Sequence, residues 1–283
     1  MVLISSFVFL FGLIVGSFLN AVIYRLQNGD SVFRGRSYCP HCKHTLSWHD
    51  LIPLASFAML GGKCRYCRKR ISIQYPLVEL ATALLFVLIF NFSAYGGSPV
   101  GGQSLIFQTL YLFVVSSLLI ILFVYDLRHY ILPDKILFPA IGITAAYRLF
   151  EFLNFCYCLP TGDLPQGEKL IENLWQLANP LLAGILASAF FLAIFALSRG
   201  RAMGFGDVKL ALFMGLFLGW PNILVALFAA FLIGAIIGVA LMALKKKGLK
   251  SEVPFGPFLI GGTFGALFWG KQAVDWYLDL MLV

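Results

Sequence analysis

The chain has 283 residues, of which 60% are hydrophobic and 12% charged, against roughly 25% charged in a soluble domain. That balance excludes an ordinary soluble enzyme and predicts an all-α polytopic membrane protein. The formal net charge of +8 reads as membrane topology, with no nucleic-acid partner, because the basic residues gather on one side of the predicted spans.

Eight apolar runs are marked as transmembrane helices, near 2–24, 76–95, 104–125, 131–154, 178–198, 207–220, 222–244 and 256–279. The sixth is short. The first run has no basic flank ahead of it, is longer than a secretory h-region and lacks an Ala-x-Ala site, so it reads as a retained span. Residues 25–75 depart from membrane composition and form an insert, which divides the chain into a first helix (1–24), the insert (25–75) and a multi-helix membrane domain (76–283). No internal repeat and no Pro-rich or Gly/Ser-rich linker is visible. With the N-terminus outside, 18 of the 21 basic residues fall on the cytoplasmic side, leaving Arg148, Lys169 and Lys271 for the other face. The insert is then cytoplasmic, and both chain termini lie outside the cytoplasm.

The insert carries two C-x-x-C knuckles, Cys39/Cys42 and Cys64/Cys67. Two-residue spacing lets both thiolates of a knuckle meet one tetrahedral ion, and the separation of the knuckles lies just beyond the usual zinc-ribbon window. A structural zinc site is the favoured reading over free or redox thiols, since disulfides rarely persist in the cytoplasm. Four thiolates close the coordination sphere, and the metal folds a loop too polar to build its own core. His41, His44 and His49 stand nearby as substitute ligands or as plain surface residues. Cys156 and Cys158 are expected to pack near the outer face.

Only thirteen acids exist, so those touching apolar runs can be weighed singly. Asp207 opens "DVKLALFMGLFLGW", where capping of a helix N-terminus explains it as well as catalysis does. Asp126 ends "SSLLIILFVYD", where the helix dipole disfavours an acid, and a locally unfavourable position invites a functional account. Two carboxylates brought close share a proton, so one can act as general base on water while the other donates to a leaving group. Gly204 and Gly206 would let a substrate strand approach, using dihedrals closed to other residues, and Lys209 follows in the same element. Asp134, after Pro133, is a second-rank rival to Asp126, with an N-cap or an ion pair as its plainer role.

With these residues in hand, the chain resembles the type IV prepilin peptidase family, membrane aspartic proteases with a G-x-G-D element. The resemblance runs through "GSFLNAVIYRL" from Gly16, the cysteine knuckles, "PLVELATALLF" from Pro76, "YDLRHYILPD" from Tyr125 and "GFGDVKLA" from Gly204. It implies that Asp126 and Asp207 are the catalytic pair. It also implies cleavage of the leader peptide of type IV prepilins or pseudopilins at the cytoplasmic face of the inner membrane, followed by N-methylation of the new terminus with S-adenosylmethionine as methyl donor. The chain has no G-x-G-x-x-G element of the dinucleotide-binding type, so the donor site must be built differently. Asn20, Arg25 and Glu79 are candidates for it, with interfacial snorkelling or interhelical hydrogen bonding as the alternative. Arg128 stands where members of the family often have a second acid. Two other classes compete: a proton-coupled transporter, which needs acids near the bilayer midplane, and a noncatalytic scaffold for a pilus or secretion machine.

Overall fold

The computed structural model describes residues 2–31, 35–94, 105–157, 166–201, 203–244 and 253–281. Among these the chain is helical: α1 (Val2–Asn28), α2 (Ala55–Met59), α3 (Gln74–Ala94), α4 (Leu105–His129), α5 (Asp134–Tyr157), α6 (Gln166–Leu197), α7 (Phe205–Leu218), α8 (Asn222–Ala243) and α9 (Gly256–Met281), with a short 3-10 turn at Trp48–Leu51. Two compact units, Met1–Ile121 and Leu122–Val283, divide within α4.

In the first unit α1 packs along α3. The contact is a Gly-x-x-x-Gly face: a Cβ on Gly12 would stand 2.5 Å from the Ala83 Cα, and one on Gly16 would stand 2.6 Å from the Glu79 Cα. Small residues at this spacing let two backbones approach where lipid offers no hydrophobic drive. Phe11, Phe86 and Phe113 close the packing, Phe86 and Phe113 stacked at 4.1 Å between ring centroids.

The insert contains a repeat too short to stand out from the sequence. In each knuckle the first cysteine N–H donates to the carbonyl five residues on (Cys39 to His44, Cys64 to Lys69), and its carbonyl accepts from the N–H four residues on (Lys43, Arg68). Lys43 and Arg68 both take left-handed backbone angles, φ 56 and 58, and isolated bridges flank both loops, Tyr38 with Thr45 and Lys63 with Arg70. Asp50 ties the second knuckle to the segment after the first, accepting from Arg65 Nε at 2.7 Å, Ser47 N at 3.2 Å and Tyr66 Oη at 3.3 Å. Burial opposes its charge, but these donors, Arg65 foremost, hold its carboxyl below the usual range.

The second unit is arranged around α7, which packs against α5, α6, α8 and α9. Gly215 of α7 lies directly on the Gly184 backbone of α6, and Gly262 of α9 lies on the Ala226 carbonyl of α8; a methyl group at either glycine would collide with backbone. At its end α7 turns through Gly219, whose φ of 66 uses the left-handed freedom of glycine and whose N–H donates to the Gly215 carbonyl at 2.8 Å. Arg148 of α5 donates to the carbonyls of Leu216 and Phe217 and pairs with Glu151 at 3.0 Å. Asn179 of α6 exchanges two hydrogen bonds with the Trp220 backbone.

Helices occupy all eight expected positions among the described residues, and six are long and apolar enough to cross a membrane: α1, α3, α4, α5, α6 and α8. At about 1.5 Å per residue the 14 residues of α7 reach about 21 Å, short of the roughly 30 Å hydrocarbon core. α9 is long enough but ends in the polar "KQAVDWYLDLM". α6 begins at Gln166, a dozen residues before the expected start of that span, because its first turns are polar and carry no membrane signal. The side chains of Cys156 and Cys158 lie outside the described residues.

Candidate functional site

Three helix ends and one tight turn build the carboxylate site. α4 closes with Tyr130 in the left-handed region (φ 58), its N–H on the Asp126 carbonyl at 2.9 Å. The chain reverses at once, so that Leu132 lies under both Gly206 and Gly256. A Cβ on Gly206 would stand 3.1 Å from the Leu132 Cβ, and one on Gly256 would stand 3.4 Å from Leu132 Cδ2. This wedge brings the end of α4, the start of α7 and the start of α9 to one point.

Asp126, in the last turn of α4, is 4% exposed, and its carboxylate accepts from the Gly256 N–H at the start of α9. An acid that is misplaced on its own helix is therefore well placed at the positive end of another. Gly256 leaves room for it, since a Cβ there would stand 2.5 Å from Asp126 Oδ2. Asp207 is 9% exposed and lies close enough to feel the charge of Asp126 directly.

Asp207 is not the cap of α7. Gly204 is the N-cap, with extended angles (φ −77, ψ 150), and Asp207 is the third helical residue, its carboxylate reaching back to the Gly204 N–H. That is the acidic half of a capping box. Neither Gly204 nor Gly206 has a positive φ, so unusual dihedrals are not why these positions lack side chains. Gly206 is pressed against Leu132, whereas among the described residues a Cβ at Gly204 would meet only the Gly206 N–H at 3.9 Å and Asp207 Oδ2 at 4.0 Å.

Lys209 points away from the carboxylate pair. Its Nζ donates to both oxygens of Asp134, at 2.7 and 2.8 Å, and lies 5.0 and 5.2 Å from the ring centroids of Phe138 and Phe205. Asp134 is thus held in an ion pair that fastens the start of α5 to the start of α7. Sequence reasoning missed Leu132 and Gly256. The Gly-Pro pair in "VPFGPF" was a usable sign of a helix start, but nothing local tied it to Asp126.

The second cluster lies in the insert. The sulfurs of Cys39, Cys42, Cys64 and Cys67 are all within 4.8 Å of one another, and Cys39 and Cys67 are 3.9 Å apart. Four sulfurs at about 2.3 Å from a central ion stand about 3.8 Å from each other, so the donor set fits a tetrahedral metal. Its electrostatics agree. Burial opposes ionisation of Cys39, yet the N–H groups of Cys42 and His41 bring its thiol down to about 7. The Lys69 N–H favours the Cys67 thiolate, but burial and the neighbouring sulfurs push it up to about 11. One thiolate forms readily and the last does not, a conflict that a dication between them removes. Two of the three histidines are engaged elsewhere, His44 on the Tyr66 ring and His49 against Trp48.

Asn20, Arg25 and Glu79 line the seam between the insert and the α1–α3 pair. Asn20 Nδ2 donates to the Tyr75 carbonyl at 3.0 Å, Arg25 Nη2 to the Gly35 carbonyl at 2.7 Å, and Glu79 Oε2 accepts from the Leu54 N–H at 2.9 Å. Asn20 Oδ1 is buried without a hydrogen-bond partner among the described residues.

Two family models match the chain in succession, the bacterial peptidase A24 N-terminal domain over residues 10–92 and the type IV leader peptidase family over residues 113–239. The chain belongs to the type IV leader peptidase family. Relatives of this family named prepilin leader peptidase/N-methyltransferase include those of Aeromonas salmonicida, 34% identical over 98% of this chain and 94% of the relative, and Bacillus subtilis, 33% identical over 98% and 99%. The relative of the same name from Pseudomonas aeruginosa is 30% identical over 95% of this chain and 92% of its own. No solved structure matches significantly. Like the family, the chain is a multi-pass membrane protein.

Proposed function

We propose that the chain is a membrane aspartic endopeptidase that removes the leader peptide of type IV prepilins and pseudopilins and N-methylates the residue exposed by the cut. The observation that carries the proteolytic reading is the meeting of Asp126 and Asp207, two buried carboxylates on different helices, with the charge of Asp126 acting on Asp207. Such a pair shares one proton. The ionised member takes a proton from water as it attacks the scissile carbonyl, and the protonated member donates to the leaving amine. Asp207, fixed by the Gly204 N–H, is the member set toward substrate, which approaches past the side-chain-free Gly204. Gly206 and Lys209 support it by packing and by the clasp to Asp134. Because both acids stand at helix ends, the scissile bond is met at a membrane edge, where a substrate helix needs little unwinding. A proton relay through a transporter would instead place acids mid-span.

The four cysteines hold a structural zinc ion, whose role is to fold the insert. S-adenosylmethionine supplies the methyl group. Asn20, Arg25 and Glu79 form the candidate donor region, supported by the unsatisfied Asn20 Oδ1, a ready acceptor for an amino group. The protein works in the cytoplasmic membrane, with the insert and the carboxylate pair on the cytoplasmic side and both termini opposite, as the distribution of basic residues supports.

The test is mass spectrometry of a prepilin incubated with the purified protein in lipid nanodiscs, with and without S-adenosylmethionine. Cut and methylated product is expected with the donor, and cut product alone without it. Undiminished cleavage by both Asp126→Asn and Asp207→Asn would sink the catalytic assignment.

A further inference from the structure

Between the two knuckles, the 3-10 turn and α2 pack on each other and leave large apolar side chains outward: Trp48 at 78% and Met59 at 85% exposure, with Leu51 and Ile52 also exposed. Single exposed apolar residues are ordinary on a protein surface, but a group on one short segment marks an interaction surface. None of these apolar side chains belongs to the four-sulfur cluster.

One hydrogen bond ties this segment to a membrane-spanning helix. The Leu54 N–H, at the entrance to α2, donates to Glu79 Oε2 at 2.9 Å, and Leu54 is held there with a φ of 58, an uncommon angle for leucine. Glu79 lies five residues beyond the first residue of α3, about 7.5 Å along a helix axis at 1.5 Å per residue. The 21 residues of α3 span about 31 Å, which matches a hydrocarbon core of about 30 Å, so its first turns stand at the boundary between headgroups and acyl chains. Residues 48–59 are tied to that level. The lipid-facing surface begins there too, since Ile73 and Leu77 at the insert's own junction with α3 are exposed.

Charge indicates what lies opposite. Residues 25–75 hold nine basic residues and two acidic ones, and Lys63, Arg68, Lys69 and Arg70 of the second knuckle are all exposed. Such a surface complements anionic lipid.

We propose that residues 48–59 are an interfacial anchor, which seats the four-cysteine insert in the headgroup–acyl boundary of the adjoining leaflet, with the basic second knuckle on anionic headgroups. Trp48 is the deepest reporter, as expected of an aromatic ring with an apolar body and a polar N–H at this level.

The test uses the full-length, metal-loaded protein in nanodiscs of phosphatidylcholine and phosphatidylglycerol brominated near the top of the acyl chains. The emission of Trp48 is taken as the difference between the parent and Trp48→Phe. Bromolipid is expected to remove most of that emission, and aqueous iodide to leave it intact. Quenching by iodide without bromolipid quenching means a segment in water, and protection from both means a segment covered by protein; either result overturns the anchor. Replacing phosphatidylglycerol by phosphatidylcholine is expected to weaken bromolipid quenching, and no change overturns the headgroup part. As an independent measurement, p-benzoylphenylalanine in place of Met59 should give lipid adducts on irradiation, whereas adducts to prepilin or to a second copy contradict the proposal. None of these readouts depends on cleavage, so their failure leaves the peptidase reading intact.

Discussion

The two clusters of this molecule are built by opposite strategies. The cysteine cluster is assembled from two short loops of the same hydrogen-bond pattern, so each half of its geometry is encoded within eight residues. The carboxylate pair has almost no local encoding. Asp126 and Asp207 are 81 positions apart in sequence, and of the residues that set their surroundings Leu132 and Gly204 lie near one acid each while Gly256 comes from a third stretch. A site of the first kind should be lost or kept as a module; one of the second kind should degrade by degrees as its packing is loosened.

The largest effect separates the two regions outright. Asp126→Asn and Asp207→Asn each remove a proton-transfer group, so cleavage of a prepilin should fall by about 10²–10⁴-fold, while the metal content, measured by elemental analysis, stays at the parent level. In the parent, the rate should be bell-shaped in pH. It is lost in acid when both carboxyls are protonated and lost in alkali when neither is, and a single-limbed profile would argue against a shared proton.

Cys39→Ser should abolish stable metal binding and expose the amides of residues 37–70 to hydrogen exchange, because binding and folding of such a loop are coupled. Exchange along α7 should not change; if it rises in step, the two regions are not independent. In the parent, metal binding should weaken as the pH falls through about 7, where the Cys39 thiol regains its proton. Each ligand must lose a proton to bind, so the sign is fixed.

Gly256→Ala is the graded test. The new methyl would meet Asp126 Oδ2 at 2.5 Å, and displacement of that carboxylate should lower the catalytic rate by roughly 10²-fold, as a misplacement near 1 Å can, with little change in apparent substrate affinity. The smallest effect is expected at the Lys209–Asp134 clasp. The Asp134 side chain is 53% exposed, and exposed pairs contribute about 0.2–1 kcal/mol, so Lys209→Met should reduce the rate only a few-fold. The charge swap Asp134→Lys with Lys209→Asp should recover most of it, and no recovery would assign Lys209 a role other than the pair.

The same contrast explains what could be read from the sequence. The cysteine spacing, the span pattern and the two aspartates were legible because a metal knuckle, an apolar run and an isolated acid each leave a local mark. The carboxylates' surroundings were not. Asp126 looked misplaced at the end of α4 because its stabilising partner, the Gly256 N–H, belongs to a helix start 130 positions on. Asp207 could be read as a cap, but only the folded helix shows that Gly204 holds that position. Gly12 and Gly16 were visible as glycines, yet their meaning depends on Ala83 and Glu79 across the helix pair. Asn20, Arg25 and Glu79 were marked as polar residues at span ends, and the hydrogen bonds that join them to the insert were beyond any pattern in the chain.

The guanidinium of Arg148 on the carbonyls of Leu216 and Phe217 has a mechanical meaning. Inside a bilayer the last carbonyls of a helix must find protein donors, and here the Arg148 guanidinium supplies them. α7 is therefore a suspended peg, hung at its far end from α5 and notched at its near end by Leu132. Its position relative to α5 and to the turn after α4 is set by those two fixings. On the proteolytic reading, the short helix is what holds Asp207 at a fixed place beside Asp126.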